Sequence, residues 1–215
     1  MLFLDELGEF TPAALDGLRE PLEEGVIRVS RAHARAVLPA RFQLVAATNP
    51  CPCGGGPPGS CECDDVARLR YTRRLSGPLL DRFDLRVAVQ RPSVDDLLDA
   101  AGGEPSAVVA ARVAVARDLA LARAGRLNAE LHGELLDLHA RLSADALAVL
   151  RDEMERGRLT GRGYHRVRRV ARTIADLRHV RSGVGSGAAD IELRDVEVAL
   201  SLRTRIRSTT PGLVA

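Results

Sequence analysis

Lysine and tryptophan are both absent from this 215-residue sequence; all 31 basic residues are arginine, and aromatics amount to 3%. The first absence is a chemical one. A phosphate-binding loop of the form G-x-x-x-x-G-K-[ST] needs its lysine for the β- and γ-phosphates, so no such loop occurs within these residues. With so few rings, an extended base-stacking surface is not expected. Charge of one sign is also lacking, and a net +2 does not by itself argue for nucleic acid. No apolar run approaches the ~20 residues of a membrane span, so no membrane partner is expected. No secretory signal precedes the first apolar segment, and the expected address is cytoplasmic. What is present, 46% hydrophobic and 28% charged residues, is the make-up of a soluble globular protein with room for one large or two small domains.

The chain opens on Met1-Leu2-Phe3-Leu4-Asp5-Glu6-Leu7-Gly8. Four apolar residues in a row read as a short strand buried on both faces and ending in adjacent carboxylates. Thr11-Pro12 marks an N-cap and first helical position, with Leu15, Leu18 and Leu22 on one face and a bend or end at Pro21. Val26–Val29 and Ala36–Leu38 alternate as two strands of a hairpin around residues 30–35. Phe42–Ala47 is the next buried strand and ends on Thr48-Asn49. Pro50 then opens a Gly/Pro-rich loop, residues 50–64, which carries all four cysteines. A helix over 65–74 follows, then a last strand near Leu85–Val89.

Beyond Pro92 the pattern is helical. Ala107–Ala124 has strong helix propensity after the Gly102-Gly103 break, and Ser143 caps a helix running to about Arg156. Gly163–Arg178 places Val167, Val170, Ala171, Ile174 and Leu177 on one face, with Arg166, Arg169 and Arg172 largely off it. Asp190–Arg205 forms a final amphipathic helix. The fold class is therefore α/β followed by all-α, with domains 1–92 and 93–215.

Three constellations carry chemistry. Asp5-Glu6 and Asn49 each close a buried strand, and in a parallel sheet both would face the carboxyl edge, where functional groups gather. An aspartate there can hold Mg²⁺ on phosphates and a glutamate can activate water; strand capping is the plain alternative. Arg82, before the last strand, has the guanidinium that meets phosphate bidentately, or else pairs with a carboxylate. Cys51-x-Cys53, seven residues, Cys61-x-Cys63 can supply four thiolates to one tetrahedral Zn²⁺, since clustered cytoplasmic cysteines argue against disulfides.

The blocks LFLDELGEF, LREPLEEGVIRVSRA, ARFQLVAATNPCPCG, RLSGPLLDRFDL and YHRVRRVARTIADL, in that order, resemble the bacterial Mg-chelatase-like AAA+ ATPases of the YifB or ComM group. The likeness runs from Met1 to about Arg207. It implies a partial AAA+ P-loop core from the Walker B strand onward, with a parallel sheet and a C-terminal helical lid domain. It implies that Asp5 and Glu6 are Walker B, Asn49 sensor 1, Arg82 the arginine finger, and Arg162 sensor 2, with Arg166 the runner-up. ATP and Mg²⁺ are the implied cofactors, and similar cysteine pairs in the family support Zn²⁺. Homo-oligomeric, hexameric rings acting on DNA are the implied assembly. By analogy with related rings, the hairpin residues Arg31, His33 and Arg35 would touch the phosphate backbone.

The departure from the family is equally informative. Its full-length members resemble a Lon-like domain followed by a Walker A loop, and Met1 falls where their Walker B strand begins. The sequence therefore reads as a C-terminal piece that would not hydrolyse ATP by itself. The alternatives are a non-catalytic remnant or a zinc-containing DNA- or partner-binding module, and, more remotely, a chelatase-type metal-insertion subunit.

Overall fold

A computed structural model describes residues 1–31, 34–55, 61–89, 92, 94, 98, 103–182 and 190–203. They divide into two compact units, one formed by Met1–Phe83 and the other from Asp84 onward.

In the first unit, β1 (Leu2–Leu4) pairs in parallel with β4 (Leu44–Ala46): Leu2 lies opposite Leu44, Phe3 opposite Val45 and Leu4 opposite Ala46. Backbone bonds extend this ladder at both ends, from Leu2 N–H to the Gln43 carbonyl (2.8 Å) and from Ala47 N–H to that of Leu4 (2.9 Å). The expectation that β1 is buried on both faces does not hold. Leu2 and Phe3 are exposed, Phe3 by 55%, and only Leu4 reaches the core. A strand is buried on both faces only where other elements cover it. Among the described residues no further strand joins β1 and β4.

Thr11 caps α1 (Pro12–Asp16) by accepting from Ala14 N–H, as its position before Pro12 predicts. The break before α2 (Arg19–Glu24) falls at Gly17-Leu18 rather than at Pro21. Pro21 sits in the first turn of α2, where a missing N–H leaves no bond unmade. The hairpin strands β2 (Val26–Arg31) and β3 (Ala34–Pro39) are longer than their alternation predicts. Arg31 lies opposite Ala34 and Ser30 opposite Arg35, so both arginines are ladder residues. α3 (Asp65–Arg74) has the expected bounds, with Asp64 as cap, and Ser76 caps α4 (Gly77–Leu80). Leu7, Leu15, Leu75 and Leu79 form the core under the sheet, with Leu4, Leu18, Leu22, Ala46 and Phe83 packed around them.

The second unit is helical: α5 (Ser106–Ala124), α6 (Gly133–His139), α7 (Ala144–Glu155), α8 (Gly161–Ser182) and α9 (Leu193–Ser201). Ser143 caps α7 as predicted. The expected strand over Leu85–Val89 is reduced to one parallel bridge from Arg86 to Arg203, and Leu85, Val87 and Val89 are exposed. Without a neighbouring ladder among the described residues, an apolar pattern alone does not make a strand.

Helix α8 organises this unit, packing against both α5 and α9. Its predicted apolar face is real: Val167 and Ala171 are fully buried within a cluster that includes Leu131, Leu136, Leu150, Ile191 and Val196. Arg172, expected off that face, is buried instead, as are Arg168 and Asp176. Charges on the sides of a helix that its neighbours cover must be satisfied internally. Arg168 donates to the carbonyls of Leu136 and Ala140 and pairs with Asp137 at 2.8 Å. Asp176 receives bonds from Arg123, Asn128 and Arg172.

Candidate functional site

The parallel register decides where the carboxylates go. Because Leu4 lies opposite Ala46, both strands end at the same edge, and Leu7 N–H bonds back to the Ala47 carbonyl at 2.8 Å. Asp5-Glu6 and Thr48-Asn49 thus leave the sheet side by side, and Asp5, Glu6 and Asn49 are all exposed. Glu6 is the one non-glycine residue at positive φ among the described residues, with φ 49° and ψ 46°. For an L-residue that conformation costs roughly 1–2 kcal/mol. Glu6 N–H donates to Asp5 Oδ1 at 2.9 Å, and Glu6 immediately precedes the 3₁₀ turn Leu7–Glu9, whose Leu7 enters the core. Strain of this kind is held at functional positions when its surroundings enforce it.

The turn that follows Glu6 is packed by groups that the sequence reading missed. Tyr71 of α3 is 4% exposed, and its hydroxyl lies 3.2 Å from Thr48 Oγ1. Its ring closes over Gly8 so tightly that a Cβ there would fall 2.2 Å from Tyr71 Cζ. Gly8 is required by this close approach and not by its backbone angles. Arg74, one turn on, donates to the Gly8 carbonyl (2.9 Å) and to Glu9 (3.1 Å). Arg68, Tyr71 and Arg74 recur every three residues, the spacing of one helix face, but that rhythm does not mark which partners they meet.

Arg82 is placed differently from a projecting finger. It donates to the Pro78 carbonyl and pairs with Glu23 of α2 at 2.8 Å, with its side chain 8% exposed. Arg31 and Arg35 lie on the exposed hairpin, while Arg28 beside them is held by Glu20 and Glu24. His33 lies outside the described residues. In the second unit Arg162 is exposed in the first turn of α8, and Arg166 pairs with Asp84 at 2.7 Å. The register thus brings Asp5, Glu6 and Asn49 together in the first unit, whereas Arg82 is engaged elsewhere in that unit.

The four cysteines come together. The Sγ atoms of Cys51, Cys53, Cys61 and Cys63 all lie within 4.8 Å of one another, Cys51 buried and the other three more open. Four thiolates about 2.3 Å from one tetrahedral zinc stand about 3.8 Å apart, so the donor set is both chemically and dimensionally suited to that ion. Two glycines let the loop close. Gly54 adopts φ 68°, and a Cβ on Gly55 would lie 2.7 Å from Cys61 Cβ. The Gly55 N–H bond, then the neighbouring Cys51 and Cys63 sulfurs, bring the Cys53 thiol down to about 7. Cys63 is pushed up to about 11, chiefly by its bond with Cys53.

Known proteins match nearly the whole chain. Residues 1–97 match the family described as magnesium chelatase, subunit ChlI, and residues 103–203 match that subunit's C-terminal family. An uncharacterized protein of Mycobacterium tuberculosis strain H37Rv is 44% identical over 207 residues, 94% of this chain and 39% of that protein. Uncharacterized protein YifB of Salmonella typhimurium is 44% identical, and competence protein ComM of Haemophilus influenzae 43% identical, each over 178 residues. Those alignments take in 82% of this chain and 35% of each relative. The chain thus spans well under half the length of the curated relatives it matches. No described helix is long and apolar enough to cross a membrane.

Proposed function

Because the chain belongs to the magnesium chelatase, subunit ChlI family, we propose that it is part of an AAA+ ATPase that hydrolyses ATP at the interfaces of a hexameric ring in the cytoplasm. The work done by that turnover is DNA remodelling of the branch-migration or competence type, a reading supported by the likeness to a competence protein. The observation that carries it is the register that sets Asp5-Glu6 and Asn49 at one sheet edge, with Glu6 held in a strained backbone. Glu6 takes the proton of the attacking water, and the Asn49 amide orients that water toward the γ-phosphate. Asp5 is the ligand for Mg²⁺, which supplies positive charge to the phosphates. Arg82 stabilises transition-state charge on nucleotide bound by a neighbouring subunit, for which it must leave Glu23. Arg162 is the nucleotide-facing arginine of residues 93–215, the helical lid, while residues 1–92 are the core portion. Arg31, His33 and Arg35 meet the DNA backbone. The four cysteines hold a structural Zn²⁺.

The 215 residues alone are expected to show no ATP turnover, because the sequence has no lysine for a phosphate-binding loop. Fused to a segment that supplies such a loop, the chain is expected to hydrolyse ATP faster with DNA present. Glu6→Gln in that fusion should lower turnover roughly 10²–10⁴-fold, the usual contribution of a general base, while nucleotide still binds. Turnover by the chain alone would overturn the need for that loop, and an undiminished Glu6→Gln fusion would overturn the assignment of Glu6.

The lack of lysine also supports a second reading, in which the chain is a zinc-containing DNA- or partner-binding module without turnover. A fusion that binds DNA and zinc but never hydrolyses ATP would favour it.

A further inference from the structure

The cysteine loop is not an isolated appendage: it begins at the carboxyl edge of the sheet, just after Asn49, and ends at the start of α3, which packs on the turn after Asp5 and Glu6. At its start, Cys51 stands two residues after Asn49 and is 1% exposed. The Gly54 N–H returns to the Cys51 carbonyl at 3.1 Å. The turn so formed folds under Asn49: a Cβ on Gly54 would lie 3.7 Å from Asn49 Nδ2. At its end, the Cys63 carbonyl accepts two bonds from Arg68, 3.1 and 2.9 Å long, and Asp64 caps α3 at 2.6 Å. The same helix carries Tyr71 onto Thr48 and Gly8, and Arg74 onto the Gly8 carbonyl and Glu9. Two separate routes therefore run from the thiolate cluster to the strand ends, one directly to Asn49 and one through α3 to residues 5–9.

We propose that metal in the Cys51–Cys53–Cys61–Cys63 cluster makes this loop the positioning element of the edge, setting the Asn49 side chain and holding α3 against the turn that follows Asp5 and Glu6. The proposal rests on the zinc reading of the cluster and deepens the nucleotide reading of the edge. The physical reason is entropic. Residues 50–64 are rich in glycine and proline and without regular structure among those described, so their ends gain fixed positions only when something closes the loop. Closure at four sulfurs fixes the turn at Gly54 and the Cys63 carbonyl together, and each then holds one support of the edge.

The experiment compares the full chain loaded with Zn²⁺ and stripped by a chelator. It follows the Asn49 side-chain amide resonance and the amide exchange of residues 5–9. Metal is expected to shift the Asn49 amide signal and slow exchange at residues 5–9 by roughly tenfold or more, the scale of a local opening equilibrium. Exchange in α1, α2 and α8 should not change. Arg68→Ala, which leaves every thiolate in place, should abolish the metal effect on residues 5–9 and leave that on Asn49. If the loop responds to metal while Asn49 and residues 5–9 do not, the positioning role fails and the zinc site stands. If metal slows exchange everywhere, the loop is a general staple and the proposal also fails. If no metal binds, both the zinc reading and the inference fall.

Discussion

Removing the metal is expected to turn four protected thiols into four freely alkylated ones, and elemental analysis of the untreated chain should return one zinc per chain. The effect is large because the sulfurs are already convergent, all within 4.8 Å of one another. Structural zinc held by side chains of this kind has an apparent binding free energy on the order of 10 kcal/mol at pH 7, and most of it appears as local folding free energy. The pH dependence has a definite sign. Zinc takes thiolates, and without metal Cys53 titrates near 7 while Cys63 holds its proton to about 11. Binding at neutral pH therefore expels protons, and affinity should rise as pH rises through neutrality and fall below it. Titration with a competing chelator across that range reads the slope. Native protein that is metal-free, with all four thiols open to alkylation, would refute the site.

What was legible in the sequence follows the range of the interactions. The caps at Thr11 and Ser143 and the bounds of α3 are local matters, decided by side chains within a turn of the backbone they serve. The convergence of the cysteines was legible too, from their clustering within thirteen residues, although their C-x-C pairs depart from the commoner C-x-x-C knuckle. Burial was not legible where it depends on what lies across the chain. The run Leu2–Leu4 has the composition of a doubly covered strand, but its cover is a matter of neighbours, and it has one strand partner among those described. Arg82 reads equally as a phosphate-binding cation or as half of an ion pair until Glu23, distant in sequence, is seen beside it. Tyr71 and Gly8 meet only because α3 crosses the strand ends. The carboxyl edge falls between these cases: Asp5, Glu6 and Asn49 were recognisable as residues, whereas the parallel register that joins them had to be observed.

Asp176→Ala is expected to be among the most damaging single substitutions in the second unit. Asp176 is 3% exposed in its side chain and accepts from Arg123 (2.7 and 2.8 Å), Asn128 (2.7 Å) and Arg172 (3.1 Å). It draws together α5, the turn at Asn128 and α8 itself. Without it, the Arg123 and Arg172 guanidiniums lose the carboxylate that they share. Breaking a buried pair by removing one partner costs about 3–5 kcal/mol, because the charge left behind cannot return to water. Asp176→Asn keeps the shape but presents an amide where the arginines need an anion, so it should be damaging as well, to a lesser degree. Burial by itself would raise the Asp176 carboxyl; the bonds from Arg123 and Asn128 and the charge of Arg172 outweigh it and leave the group below its ordinary value. A depressed carboxylate stabilises fully above its unfolded pKa, about 3.9, and loses that contribution as pH falls through the lower folded value. Amide exchange in α5 and α8 should therefore accelerate in Asp176→Ala at neutral pH, and the gap from the parent chain should narrow in strong acid. A neutral-pH loss under about 1 kcal/mol would mean that the two arginines find other partners, and the network would then be packing rather than a keystone of charge.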